Sequence, residues 1–235
     1  MLLLSLYSAY ISAQSIINTQ SGTDLTFAFK SAAGVVDNFF YQKNNTERVS
    51  FIKLQPKINI QTQFERHLVN LLAESEHVSF QGFSEDNYSN FRISPSYQFK
   101  PAINQTLFVN AFIKEQYELR GTGLTLGDAK ALSVGDTLRN SSINGGFVYG
   151  SKDSIAKFSL RLGQEYSNYT TRRDLTRKLD KESVFINPTF DYLIGGASYL
   201  STELKAEQIS YKHNEALSKN KYVGLIGFKW QPSTI

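Results

Sequence analysis

Between residues 52 and 64, Ile52, Leu54, Ile58, Ile60 and Phe64 occupy even positions, and Lys53, Gln55, Lys57, Asn59, Gln61 and Gln63 occupy odd ones. Successive side chains of a strand point to opposite faces, so this period of two describes a strand with one apolar and one polar side. The pattern recurs in 89–100, where Phe91, Ile93, Tyr97 and Phe99 alternate with Asn90, Arg92, Ser94 and Gln98. It recurs again in 155–167, with Ala156, Phe158, Leu160 and Leu162 against Lys157, Ser159, Arg161 and Gly163, and in 221–231. Weaker versions lie at 24–30, 68–79, 105–119, 139–150, 183–193 and 198–211. Together these segments predict about ten strands.

Several of them are longer than the ~5–6 residues usual in soluble sheets and match the ~9–11 needed to cross a bilayer at a tilt. Their polar sides, such as Lys53-x-Gln55-x-Lys57-x-Asn59, would leave unpaired groups in a dry core but not in a wet lumen. Short turns are expected at Glu65–His67, Pro101–Asn104, Ser151–Ser154 and Ile194–Ala197. They take turns with longer polar stretches at 31–48, 80–88, 120–138, 168–182 and 212–220. Short turns on one side and long loops on the other are the arrangement of a transmembrane β-barrel. On the apolar parity Tyr117, Tyr166 and Tyr222 fall near the long-loop ends, and Tyr97, Phe99, Phe147, Tyr149, Tyr192, Phe228 and Trp230 near the short turns, as two interfacial girdles would. The expected fold is therefore all-β, an antiparallel up-and-down transmembrane β-barrel over residues 24–231. Its apolar parity faces lipid and its polar parity faces the lumen. A soluble barrel would reverse the two faces.

The 235 residues include no cysteine, which removes disulfides and thiolate metal sites. No apolar run reaches the ~18 residues of a membrane helix. A net charge of +4 with scattered basic residues gives no nucleic-acid stripe. Met1–Ala13 (MLLLSLYSAYISA) reads as a signal peptide, residues 14–23 as a periplasmic N-terminal segment and 232–235 as a C-terminal tail. The expected location is the bacterial outer membrane, with its lipid as the first partner.

No catalytic, cofactor or metal site is expected. The only histidines, His67, His77 and His213, share no metal-ligand spacing. His67, at a short turn, reads as solvated, and no histidine is placed to activate a serine at the lipid belt. His213 and the acids Glu85 and Asp86 fall in long loops on one side, which leaves an outer-membrane protease of the omptin type as an alternative. A structural or adhesion barrel acting through loops 120–138 and 168–182 is another. The candidate site is the lumen. Strand parity points Lys53, Lys57, Arg92, Lys114, Lys157, Arg161, Lys205 and Lys229 inward, together with Glu118, Glu165, Asp191, Glu203 and Glu207. Ten strands give a backbone diameter of roughly 20 Å, which long side chains can fill. A plug of ion-paired side chains is the first reading of this set, and a weakly anion-favouring passage the second.

Short stretches also resemble a family of Gram-negative outer-membrane β-barrel porins encoded with exopolysaccharide or capsule biosynthesis genes. They are Val36-Asp37-Asn38, Tyr97-Gln-Phe-Lys, Tyr117-Glu-Leu-Arg120, Tyr166-Ser-Asn168 and Gly224-Leu-Ile-Gly-Phe-Lys-Trp230. The resemblance spans about Thr23–Pro232 and implies an outer-membrane channel or scaffold for polysaccharide export, with polysaccharide or export proteins as partners. Family members continue beyond a segment like Gly224–Trp230, so by this resemblance the chain is a truncated member.

Overall fold

The computed structural model describes residues 7–18, 22–41, 46–125, 132, 134–151, 154–196 and 198–230. Among these, eleven strands form one sheet in sequence order, each antiparallel to the next. They are β1 (Tyr7–Asn18), β2 (Thr23–Val36), β3 (Val49–Phe64), β4 (His67–Phe80), β5 (Tyr88–Ala102), β6 (Gln105–Glu118), β7 (Asp136–Tyr149), β8 (Ala156–Tyr169), β9 (Lys181–Gly195), β10 (Ser198–Tyr211) and β11 (Lys219–Trp230). Antiparallel neighbours need only a tight turn between them. Residues 65–66 and 103–104 are such turns, with Glu65 at φ +48°. The connections at 37–48, 81–87, 119–135, 170–180 and 212–218 all lie at the opposite end, so the expected sorting of loops by length is present.

The count is eleven strands rather than about ten. The extra one is β1, within residues read from sequence as a leader and a periplasmic segment. It enters from the long-connection end. Cleavage after Ala13 would cut it where it pairs with Phe29 of β2. Residues 1–6 of the expected leader and the tail at 232–235 lie outside the described residues. β2 also runs on to Val36, well into the stretch expected as the first long loop.

The sheet is open, which corrects the expectation of closure. β1 and β11 form its two edges. With eleven strands they run in the same direction, so they cannot pair antiparallel to each other. A wholly antiparallel closure takes an odd number of further strands, whatever their source. In hydrocarbon both edges need partners for their backbone N–H and C=O groups.

The sheet has no conventional core. Its buried apolar cluster, Phe39, Phe40, Val49, Val78 and Phe80, sits at the long-connection end, with Phe83 and Leu119 packed against it. The Phe39 ring meets those of Phe40 and Phe80 edge-on at 5.0 and 4.8 Å, a favoured aromatic geometry. Large apolar side chains of the strand centres are instead exposed, among them Ile143 at 54%, Leu162 at 50% and Ile58 at 41%. Two glycines of the other face lie beneath aromatic rings. A Cβ at Gly163 would sit 2.5 Å from the Phe185 ring, and one at Gly146 would sit 2.8 Å from the Phe108 ring. The rings cover backbone that would otherwise lie bare between tall neighbours.

Candidate functional site

Register assigns every strand residue to a face, because cross-strand partners point the same way. Lys57 faces Glu74, Glu74 faces Arg92, Arg92 faces Lys114 and Lys114 faces Asn140 across β3 to β7. Continuing through Ser167 to Lys181 gives one polar face for the whole sheet. All thirteen residues predicted to point inward lie on it. This face is the concave one. Arg92 of β5 and Ile209 of β10 line a common cavity, although on a flat sheet five strand spacings would separate them by roughly 24 Å.

The opposite, convex face is the apolar one. From β2 to β11 its only Asp, Glu, Lys or Arg residues are Glu115, Arg139 and Glu182, all within a few residues of the long-connection end. Glu115 and Arg139 pair with each other at 2.7 Å. Below them the face is free of formal charge, as a surface against hydrocarbon must be, since a charge at the midplane costs about 2–4 kcal/mol. Near the short turns, His67 stacks between Phe64 and Phe99 at 4.8 Å from each and bonds Tyr97 Oη through Nδ1 at 2.8 Å. His67 is thus a member of the aromatic girdle rather than the solvated turn residue expected from sequence.

The thirteen residues fall into two groups by their partners. On β9–β11 the charges pair off. Lys229 Nζ donates to Asp191 at 2.9 Å, Lys205 Nζ to Glu207 at 3.0 Å, and Asn187 Nδ2 to Glu203 at 3.0 Å. Glu118 accepts from Tyr169 Oη at 3.3 Å near the rim. Lys157 lies 4.1 Å over the Tyr199 ring, and Arg161 lies 5.7 Å over Phe108. Ion pairs, hydrogen bonds and cation–ring contacts thus engage the charged side chains of this arc.

The β2–β6 arc differs. Lys53 Nζ donates to Glu76 at 3.1 Å, but the same carboxylate also accepts from Gln55, Tyr88 and Asn90. Below it Lys30, Lys57, Arg92 and Lys114 line a cavity of about 390 Å3 together with Glu74, Glu76 and Glu115. Among the described residues no salt bridge joins these four cations to an acid. Arg92 donates from Nε to Ser94 Oγ at 2.9 Å and lies 5.4 Å over the Phe112 ring. Arg92 and Lys114 are direct cross-strand partners, a like-charge arrangement that destabilises a sheet unless something negative sits between the charges. Glu165 lines the adjoining cavity with both of them. Sequence reading missed Lys30, Glu74 and Glu76. The inward side of β4 carries Leu68, Leu72, Val78 and Phe80 beside its two glutamates, which erases the alternation that marks β3 and β5.

The long-connection rim holds a feature that joins residues 34 and 36 apart in the sequence. Asp86 and Asp136 are fully buried, and each accepts two bonds from one arginine. Arg120 Nε donates to Asp86 Oδ1 at 2.7 Å and Arg172 Nε to Asp136 Oδ1 at 2.8 Å, each with a second bond from Nη2 to the other oxygen. Arg120 also lies 4.8 Å over the Phe40 ring and donates to the Leu132 carbonyl. Asp180 accepts from Arg173 at 2.9 and 2.5 Å. The Arg173 hydrogen bonds hold the Asp180 carboxyl below its ordinary pKa, and the charge of His213 adds a smaller effect in the same direction. Because that pKa is depressed, the contribution is present above the ordinary aspartate range and is lost only as the pH falls through the lowered value.

This arrangement also bears on the protease alternative. Asp86 and Asp180 each have both oxygens committed to an arginine, so neither is free to orient His213 as a base. His77 Nδ1 lies 2.9 Å from Ser89 Oγ on the convex face. Among the described residues no hydrogen bond orients the second nitrogen of that ring, which nucleophilic catalysis requires.

No known family profile matches the chain, and no curated protein shows significant sequence similarity to it. Among solved structures it is similar to the outer membrane channel DcaP of Acinetobacter baumannii, with a TM-score of 0.59 and 13% identity. The match covers 92% of this chain and 61% of that one, so the chain spans about three-fifths of the channel's length. The likeness is one of fold, an up-and-down sheet of the outer-membrane barrel kind.

Proposed function

We propose that the chain forms wall of a non-enzymatic channel in the bacterial outer membrane, and that its concave face favours small anionic solutes. The observation that carries this reading is the cross-strand row Lys57–Glu74–Arg92–Lys114, three cations to one acid, along the wall of a cavity that Lys30, Glu76 and Glu115 also line. Positive side chains lining a pore select anions by lowering the electrostatic barrier to their entry. The charge-free convex band and its aromatic girdle support a membrane setting with lipid as the partner, and the fold shared with an outer membrane channel supports a pore. A role in polysaccharide export rests on the short sequence stretches alone. It would place an acidic polymer, rather than a small solute, against the same cations.

The test is reconstitution in planar bilayers under a salt gradient. The reversal potential is expected to report anion preference. Arg92→Glu with Lys114→Glu should bring the anion-to-cation permeability ratio to about one or below. Cation preference in the unmodified protein, or a ratio unmoved by the double change, would remove this reading.

A further inference from the structure

The hairpins β5–β6, β7–β8 and β9–β10 share a pattern. Each has an aspartate at its entry and a tyrosine at the end of its second strand or one residue before it: Asp86 with Tyr117, Asp136 with Tyr169, Asp180 with Tyr211. Three residues past the tyrosine stand Arg120, Arg172 and Asn214. The spacing from the aspartate is 34 residues in the first hairpin and 36 in the second. In the third it is 214 − 180 = 34. In the first two hairpins the arginine grips the entry aspartate side-on, through Nε and Nη2, with the carboxylate fully buried.

We infer that these hairpins are copies of one clamp unit, and that the third copy has lost its arginine at Asn214. The β10–β11 connection, residues 212–218, is therefore the part of this arc of the mouth without a buried aspartate–arginine clamp, its side-chain contact beyond its own hairpin being Lys212 Nζ, 5.5 Å over the Tyr166 ring. The two intact clamps join the connections of successive strand pairs. Asp86, in the β4–β5 connection, is joined to the β6–β7 connection, and Asp136, at the head of β7, to the β8–β9 connection. Asp180 is also buried, at 6% exposure, but its side-chain partner is Arg173 from its own connection, so it ties nothing to β10 through its side chain. The bonds of 212–218 fit this assignment. Lys212 N donates to Asp180 O at 3.1 Å. The others stay within the connection and its own flank: Asn214 N to Tyr211 O, Leu217 N to Asn214 O, Ser218 N to Glu215 O, and Tyr211 N to Ser218 Oγ. Its residues are mostly exposed, Leu217 among them, whereas Asp86, Gly121 and Thr176 of the other connections are buried. A segment with few buried contacts and solvent-exposed backbone bonds opens at low free-energy cost.

Hydrogen exchange on the full chain folded in detergent micelles tests the assignment directly. Amides of 214–217 should exchange at least about tenfold faster than those of 86–87, 120–122 and 171–176. The transplant Arg173→Gln with Asn214→Arg frees Asp180 and supplies the missing clamp residue. It should slow exchange in 213–217 by about tenfold and leave 86–87 unchanged. Equal protection of all these connections in the unmodified chain would overturn the inference, and so would a folded double variant with no gain in protection at 213–217. If the double variant does not fold, the unmodified chain alone decides between the two outcomes.

Discussion

Replacing Arg120 by methionine should lower the stability of the folded sheet by about 3–5 kcal/mol, the cost of leaving a buried charge without its partner. Asp86 has no exposed surface, and Arg120 supplies both of its side-on hydrogen bonds. The same guanidinium covers the Phe40 ring and holds the Leu132 carbonyl, so its loss also loosens the aromatic cluster at the mouth. Methionine keeps the stem and much of the volume, which separates the charge from the packing. The second change, Asp86→Asn in the same chain, should recover a large part of the loss because the stranded charge is gone. Denaturant unfolding of the protein in lipid vesicles measures both. A loss within about 0.5 kcal/mol for Arg120→Met would place the pair among ordinary surface contacts, contrary to its burial.

Leu160→Arg and Arg161→Leu should behave oppositely although the residues are neighbours. Leu160 faces Phe147 and Pro188 on the convex side, and Arg161 faces Gly146 and Asn187 on the concave side. An arginine at position 160 would meet hydrocarbon near mid-strand at a cost of about 2–4 kcal/mol, enough to impair assembly in the outer membrane. Leucine at 161 removes a cation stacked over Phe108 within a wet, polar surface, and assembly should persist. Heat-modifiable gel mobility of outer-membrane fractions reads the outcome. Failure of Arg161→Leu together with tolerance of Leu160→Arg would exchange the two faces.

How legible these features are depends on the physical origin of each. β3, β5, β8 and β11 can be read strand by strand because one side meets an apolar medium and the other a polar one, and the sequence alternates accordingly. β4 cannot, because its inward side divides its work between the Glu76 network and the mouth cluster around Val78 and Phe80. β2 reads as ending at Lys30 because Ser31-Ala-Ala-Gly34 offers only small side chains, yet those residues pair with β3 up to Val36. β1 is not legible because Tyr7–Asn18 carries no clear alternation of apolar and polar residues. The Lys–Arg–Glu set on the concave face follows from parity alone, but which of its members are paired does not, since that depends on reach across three or four strands. The Asp–Arg clamps lie beyond sequence reasoning of this kind, with 34 and 36 residues between partners. Their one visible trace is Tyr-x-x-Arg at 117–120, repeated at 169–172.

Single cysteines provide the most direct test of the central claim, that the apolar face meets lipid and the polar face meets water. The natural chain has none, so each introduced thiol is the only one present. Positions 157 to 162 of β8 are replaced one at a time, and the protein is probed in intact outer membranes with a charged, membrane-impermeant maleimide and with a lipid-dissolved thiol reagent. Cysteines at 157, 159 and 161 should react with the charged reagent, and those at 158, 160 and 162 with the lipid-dissolved one. Uniform reaction of all six with the charged reagent, or the alternation reversed, would contradict a membrane wall with a polar lumen.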